Sequence, residues 1–202
     1  MSLSLHFVHG WGCDASLWDA LAVLLADWPQ TRGDRGYFGG QDAAPEGRCL
    51  VVAHSHGALR TLLDPPPGCV GMVAINGFDR FGQARVLDRM IDRLSADPAG
   101  VLDVFRARIG LPPAPAIADP VRLAGDLVHM RDAWAHAADW PHPLVALHGG
   151  ADPIVPAGVR ERAFVAAPRL HAETRPGGGH LMPLSAPAWC VQRVRAAAER
   201  LG

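Results

Sequence analysis

A serine at the end of an apolar run carries the strongest chemical signal in the chain. Residues 51–57 read Val-Val-Ala-His-Ser-His-Gly, passing from a run typical of a buried parallel strand into the start of a helix. So tight a strand-to-helix turn needs small residues two positions before and two after the serine, here Ala53 and Gly57. Glycine is usual at the first position, and Ala53 differs from it by one methyl group. The pattern indicates that the turn presents Ser55 as a nucleophile.

Two later residues supply the types that a serine nucleophile requires. Asp152 follows the apolar run at 144–147, and His180 follows three glycines after the last strand candidate. A serine hydroxyl needs a base to take its proton and an acid to fix the tautomer of that base. The carboxyl ends of parallel strands meet at one edge, so we predict Ser55 as nucleophile, His180 as base and Asp152 as acid. The alternative, an ordinary turn with a capping serine, leaves Asp152 and His180 unexplained.

The loop His9-Gly10-Trp11-Gly12 follows the first strand candidate and predicts an oxyanion hole. A tetrahedral intermediate needs hydrogen-bond donors where its negative charge develops. We expect these donors to be the backbone N–H groups of Trp11 and of His56, the residue after the nucleophile. The Trp11 ring is also a candidate wall of an acyl pocket, whereas His9 is expected to be a structural hydrogen-bonding residue.

The other reactive residue types give weaker signals. His54 and His56 flank the serine, but an i, i+2 pair on a sharp turn diverges, and no cysteine or carboxylate cluster accompanies it. We therefore expect no metal and no cofactor. Cys13 lacks the turn that presents a nucleophile, and the four cysteines are interpreted as core residues rather than as a disulfide framework.

The elements that must position these residues alternate along the chain. A mostly parallel, doubly wound α/β sheet follows from this order, with an additional short strand expected near Tyr37. The strand candidates are Leu3–Val8, Cys49–Ala53, Val70–Ile75, Leu144–Leu147 and Leu170–Thr174. The helix candidates are Ala15–Trp28, with Asp14 as its N-cap, Ala58–Leu63, Ala157–Ala166 and Ala188–Leu201.

Residues 77–140, here called the cap segment, interrupt that alternation. They contain three apolar stripes at helical spacing and predict a helical cap inserted between strands, with residues 1–76 and 141–202 forming the core. The stripes are Val86, Leu87, Met90, Ile91 and Leu94; Val101, Leu102, Phe105 and Ile109; and Leu123, Leu127, Met130 and Trp134.

Composition bounds the remaining possibilities. The 202 residues are 49% hydrophobic, enough for one well-buried core. The formal net charge of −1 gives no global field that would attract nucleic acid or an anionic membrane. The start of the chain has no signal-peptide pattern, and no window is apolar enough to span a bilayer. We expect a cytoplasmic monomer.

These motifs together resemble the α/β-hydrolases, and among them most closely the pimeloyl-[acyl-carrier-protein] methyl ester esterases of biotin synthesis. The resemblance covers nearly the whole chain and rests on the loop at 9–12, followed by Trp18, on Ser55 in its turn, on Asp152 before Val155-Pro156 and on His180. The cap sequence at 90–97, Met-Ile-Asp-Arg-Leu-Ser-Ala-Asp, is also similar. In this chain the first β-hairpin of the larger fold is trimmed away.

The resemblance implies a substrate and a partner. Ser55 would attack the methyl ester of an acyl chain held on an acyl carrier protein, and Met90, Phe105 and Met130 of the cap segment would line the acyl channel with Trp11. Cap arginines would meet the acidic carrier surface, namely Arg85, Arg89, Arg93, Arg106, Arg108 and Arg122. Arginines and aspartates balance in this segment, so an ordinary solvated face is the alternative for each of them.

Three alternatives to this function stay open at the level of sequence. The same residues serve other carboxylesterases and thioesterases, and they also serve carbon–carbon hydrolases and hydroxynitrile lyases, because these enzymes differ in pocket shape. A non-catalytic ligand-binding protein on the same fold is the competing class. Such a protein is expected to have lost a member of the serine, aspartate and histidine set, and all three are present here.

Overall fold

Six parallel strands form a single sheet in the computed structural model, which describes residues 2–202. The sheet order is β2-β1-β3-β4-β5-β6, and every neighbouring pair is parallel. The strands are β1 Ser4–Val8, β2 Gln30–Gly33, β3 Cys49–His54, β4 Cys69–Ile75, β5 Leu144–Gly149 and β6 Leu170–Arg175. The prediction of a doubly wound parallel sheet is confirmed. The chain reverses its direction of winding between β1 and β3, where open α/β sheets form their ligand crevices.

Both faces of the sheet are covered, which explains the continuous apolar strands. In β3, Leu50 and Val52 pack into the core on one face, while Val51 and Ala53 pack into the core on the other. Residues 2–202 contain eight α-helices and two short 3-10 helices, of which the last two α-helices follow β6 and the others lie between strands. The α-helices are α1 Asp19–Leu24, α2 His56–Leu63, α3 Ala84–Leu94, α4 Pro98–Ile109, α5 Pro120–Asp132, α6 Ala157–Arg160, α7 Met182–Ser185 and α8 Pro187–Glu199.

Two predicted boundaries are wrong at the start of the chain. The strand expected near Tyr37 lies earlier, at Gln30–Gly33, and Tyr37 occupies a turn with its ring buried. This edge strand is polar, so hydropathy gave no sign of it. The helix predicted over Ala15–Trp28 is divided into a 3-10 turn at Ala15–Trp18 and the short α1, with Asp14 capping the first turn as expected.

The helix predicted over Ala157–Ala166 is also shorter than expected. Its α-helical part ends at Arg160, and turns continue through Ala166. Phe164 has a φ of 61°, in the left-handed region that a regular helix excludes, so the helix cannot continue through this residue. The apolar side chain of Phe164 is nevertheless fully buried.

The cap segment consists of α3, α4, α5 and a 3-10 turn at Ala137–Asp139. Aspartates begin two of its helices: the side chain of Asp97 accepts from Gly100 N–H, and that of Asp119 accepts from Val121 N–H. Most of the predicted stripe residues are buried or partly buried in one core cluster with the sheet and α2. Val86 and Trp134 are instead exposed, at 40% and 52%. No helix among residues 2–202 combines the length and the apolar character needed to cross a bilayer.

Candidate active site

Ser55 lies in a strained turn between β3 and α2. Its φ and ψ are 52° and −124°, a conformation that L-residues rarely adopt. The surroundings fix this turn tightly, because a Cβ on Gly57 would lie 2.6 Å from the carbonyl oxygen of Val8 and one on Gly10 would lie 2.9 Å from Ser55 Cβ. The Ser55 N–H donates to the carbonyl of Ile75 on the neighbouring strand. The turn therefore holds the serine at the carboxyl edge of the sheet.

Asp152 and His180 meet at the same edge. His180 Nδ1 donates to Asp152 Oδ2 at 2.8 Å, and both side chains are 1% exposed. Asp152 Oδ1 accepts the N–H groups of Ile154 and Val155. Burial raises the pKa of the Asp152 carboxyl, but the hydrogen bond from His180 and these N–H groups outweigh it, so the net pKa lies below its ordinary value. The carboxylate is thus ionised and fixes a proton on Nδ1.

The second nitrogen of His180 is left ready to accept a proton. Nε2 is buried and has no hydrogen-bond partner among residues 2–202. A buried, unpartnered acceptor is costly, and such atoms concentrate at functional sites. Ser55 lies at the same edge of the sheet, and its hydroxyl is not hydrogen-bonded to Nε2 in this unliganded arrangement. Bonds of this kind commonly tighten only when substrate binds.

Two buried residues hold the His180 loop, a role that the sequence did not predict for either of them. Asn76 donates through Nδ2 to the carbonyls of Gly179 and His180 at 2.9 and 2.7 Å, and its Oδ1 accepts from Gly149 N–H. His54 Nε2 donates to the same His180 carbonyl at 3.0 Å. Both side chains are 1% exposed. The loop is therefore fixed to the ends of β3, β4 and β5 rather than left free.

The predicted oxyanion donors are unpaired. The backbone N–H groups of Trp11 and His56 donate to no acceptor within residues 2–202, while Cys13 N–H turns back to Gly10. His56 begins α2, whose amino end adds a partial positive charge. Two unpaired N–H groups are therefore available near Ser55, and donors of this kind are what a developing oxyanion would require.

The apolar cavity at Ser55 has a volume of about 480 Å³. All four residues proposed for an acyl pocket, Trp11, Met90, Phe105 and Met130, line it. Its remaining apolar walls come from both the cap segment and the core, namely Phe78, Phe81, Val86, Leu87, Val101, Val104, Leu127, Pro153, Ile154 and Pro156. A cavity of this composition suits an acyl chain better than a polar substrate.

The six cap arginines proposed for a carrier surface differ in their exposure and in their bonding. Arg89, Arg93 and Arg108 line the cavity from exposed positions, and Arg85 is exposed on α3. Arg122 is exposed too, but it pairs with Asp119. Arg106 is only 5% exposed, and it donates to the carbonyls of Gly12 and Pro112. The expectation that Arg106 meets a carrier surface is wrong, because its guanidinium is buried and bonded to backbone carbonyls inside the protein.

The histidines beside Ser55 bind other protein groups. His54 holds the His180 carbonyl, and His56 Nε2 lies 3.0 Å from His129 Nδ1 of α5. Burial is the main cause that lowers the pKa of both His54 and His56 to about 3, and it lowers that of His148 to about 4. These imidazoles are therefore neutral in the folded protein. In the part of the chain that the structure describes, no group of three or more histidine, cysteine or acidic residues is arranged to hold a metal ion.

This burial predicts acid-sensitive stability. Below pH 6.5 the three imidazoles take up protons in the unfolded chain, whereas the folded protein resists protonation until about pH 4. The free energy of unfolding should decrease as the pH decreases through this window, and these three imidazoles should contribute a slope approaching three protons, or roughly 4 kcal/mol per pH unit. Urea denaturation between pH 7 and 5 measures the slope. His148→Gln should remove about one proton from it, and His171→Gln, at an exposed position, should leave it unchanged. A slope equal in all three proteins would contradict the account.

Comparison with known proteins gives matches in structure. A scan against protein-family models and a search of curated proteins each found no match. A thermophilic esterase from Thermogutta terrifontis, in a malate-bound structure, matches with a TM-score of 0.79 at 18% identity, covering 99% of this chain and 90% of that chain. An esterase from Exiguobacterium antarcticum matches with a TM-score of 0.81 at 14% identity, covering 98% and 92%.

An enzyme named for a different reaction matches as well. The enol-lactonase from Burkholderia xenovorans has a TM-score of 0.70 at 15% identity, covering 97% of this chain and 91% of that chain. At such identities the likeness concerns the path of the backbone, and it extends over almost the full length of each protein. With its parallel six-stranded sheet, its strained serine turn after β3 and its helices between β4 and β5, the chain has the α/β-hydrolase fold.

Proposed function

We propose that this chain is a serine hydrolase that cleaves a carboxylic ester through an acyl-enzyme on Ser55. The observation that supports it most is the buried His180–Asp152 pair, whose free Nε2 lies at the sheet edge that also presents Ser55. The two unpaired N–H groups of Trp11 and His56 add the electrophilic part of the site. Esterases among the structures of similar fold make the same reaction class a reasonable expectation.

The mechanism follows from these placements. Ser55 Oγ attacks the ester carbonyl while its proton passes to His180 Nε2, and Asp152 stabilises the imidazolium that forms. The carbonyl oxygen becomes an oxyanion that accepts from Trp11 N–H and His56 N–H. His180 then protonates the departing alcohol. A water molecule, deprotonated by His180, attacks the acyl-enzyme and releases the carboxylate.

For the substrate, we propose the methyl ester of a carrier-linked acyl chain, as the resemblance to pimeloyl-[acyl-carrier-protein] methyl ester esterases implies. The apolar cavity at Ser55 accommodates an acyl chain, and Arg89, Arg93 and Arg108 at its lining offer positive charge to an acidic carrier. A generic carboxylesterase acting on free acyl esters is the alternative. The first experiment below tests the acyl cavity, and the second separates these two functions.

Chain length should control turnover until the cavity is filled. Burial of one methylene contributes about 0.8 kcal/mol, so each added CH₂ should raise kcat/KM roughly fourfold. A series of p-nitrophenyl esters from acetate to dodecanoate measures this dependence. Met130→Trp, which narrows the cavity, should move the optimum to a shorter chain. A profile that is flat in chain length, and identical in the variant, would exclude this cavity as the acyl site.

Carrier recognition should depend on the cavity arginines. Arg93→Glu and Arg108→Glu should lower kcat/KM for a carrier-linked methyl ester at least tenfold, while the free methyl ester changes little, and the difference should shrink with added salt. Arg48→Glu, at the opposite edge of the sheet, serves as the matched control. Equal losses on both esters would mean that the arginines only support the cap segment. Equal turnover of both esters by the unaltered protein would favour the generic esterase.

A further inference from the structure

A buried arginine of the cap segment is bound to the loop that carries one oxyanion donor. Arg106 of α4 donates through Nη1 to the carbonyl of Gly12 at 3.0 Å and through Nε to that of Pro112 at 2.8 Å. Only 5% of this residue is exposed. Burying a guanidinium is costly unless its donors are satisfied. Here one of these bonds is accepted by Gly12, the residue next to Trp11, and the N–H of Trp11 is the proposed oxyanion donor.

The same loop is fastened to the cap segment at two further points. The Trp11 indole N–H donates to the carbonyl of Leu123 on α5 at 2.9 Å, and its ring packs edge-on against Phe105 of α4 at 4.8 Å. Gly12 has a φ of 68°, and a Cβ there would lie 3.1 Å from Leu102 and Phe105. Glycines on both sides of Trp11 make the isolated loop permissive, so its conformation depends on contacts from outside.

The second oxyanion donor is also connected to the cap segment. The imidazole of His56 bonds to His129 of α5 at 3.0 Å. One turn earlier on α5, Asp126 accepts two hydrogen bonds from Arg35 and one from the hydroxyl of Tyr37. The helix that carries His129 is therefore anchored by polar contacts of Asp126 in addition to the bond between His56 and His129.

We propose that Arg106 and His129 are positioning residues that set the geometry of the oxyanion hole, so that the cap segment aligns its two donors as well as enclosing the acyl chain. The two N–H groups come from different elements, the loop after β1 and the start of α2, and the cap segment contacts both. Donors of this kind must be placed within about 0.5 Å to stabilise an oxyanion. The inference rests on the proposed function, because it assigns these residues to the same reaction.

A trifluoromethyl ketone with an acyl-like chain reports on this geometry. Ser55 Oγ adds to the ketone carbon, its proton passes to His180, and the former carbonyl oxygen becomes an oxyanion in the hole. The corresponding alcohol fills the same cavity but cannot be attacked. Arg106→Met should weaken ketone binding, and lower kcat for ester hydrolysis, by about 10- to 100-fold. Alcohol binding and KM should change less than about threefold if only the transition-state geometry is lost.

His129 provides a second test that does not disturb a buried charge. His129→Leu removes the hydrogen-bond partner of the His56 imidazole. His129→Asn places an amide near the position of Nδ1 and so keeps a hydrogen-bond partner for His56. We expect the leucine variant to lose affinity for the ketone about tenfold and the asparagine variant to recover most of it. Arg48→Met is the matched control, because Arg48 also donates to a backbone carbonyl, that of Leu201, at the far edge of the sheet.

The outcomes distinguish this inference from the proposed function. If the unaltered protein hydrolyses esters but the Arg106 and His129 variants bind the ketone as tightly as it does, the positioning role is overturned while the hydrolase assignment stands. Equal weakening of ketone and alcohol also overturns it, since that result indicates a damaged cavity. An unaltered protein that neither hydrolyses esters nor binds the ketone more tightly than the alcohol overturns both.

Discussion

Replacement of Ser55 by alanine is expected to lower kcat/KM for a p-nitrophenyl ester by roughly 10⁴-fold or more, equivalent to about 5.5 kcal/mol of transition-state stabilisation. The reason is that the hydroxyl is the atom that bonds to the acyl carbon, and the oxyanion donors alone leave only a small residual rate. Alanine keeps the Cβ that the crowded turn beside Gly10 and Gly57 already accommodates and removes only the hydroxyl oxygen. The fold should therefore persist. Circular dichroism and the thermal midpoint verify this.

Two companion variants sharpen the result. His180→Ala should cause a comparable loss, and the double variant should be no worse than either single one, because residues that act as a unit are not additive. Ser185→Ala is the matched control, since the hydroxyl of Ser185 on α7 donates only to the carbonyl of Leu181, the residue before this helix. Near-normal turnover by Ser55→Ala would remove Ser55 from the reaction.

The second large effect is expected from Asp152→Asn, which should lower kcat on the order of 10³- to 10⁴-fold. The asparagine oxygen can still accept from Ile154 and Val155, so the loop should keep its shape. Its amide, however, would donate to His180 Nδ1 and shift the proton to Nε2, the nitrogen that must accept from Ser55. A steady-state assay at several pH values measures the loss, with Asp27→Asn as a surface control. A loss below tenfold would mean that another group orients His180.

The sequence predicted the central sheet well, for a physical reason. Buried parallel strands are apolar on both faces, so Cys49–Ala53 and Val70–Ile75 stand out as continuous runs. Ser55, Asp152 and His180 follow β3, β5 and β6, and parallel topology brings the carboxyl ends of these strands to one edge. The edge strand β2, with the sequence Gln-Thr-Arg-Gly, lacks this signal and was placed too late in the chain.

The residues that support the site were not predicted, because their roles depend on contacts between distant segments. Asn76 lies more than one hundred residues from the His180 loop that it holds. Arg106 was predicted to lie at the carrier surface together with the other cap arginines. It falls four residues after Leu102 and three before Ile109, but Arg108 likewise falls three residues after Phe105 and seven after Val101. Helical periodicity alone therefore does not separate the buried Arg106 from the exposed Arg108, whereas the bonds of Arg106 to Gly12 and Pro112 do.

Covalent labelling by a fluorophosphonate tests the central claim most directly, because phosphonylation requires a serine that its own site has activated. Intact-mass measurement should show one label on the folded protein, and peptide mapping should place it on Ser55. Ser55→Ala should remain unlabelled, and Asp152→Asn should be labelled far more slowly. A folded wild-type protein that takes up no label would contradict the hydrolase assignment and favour a ligand-binding protein, and a label on another residue would contradict the role given to Ser55.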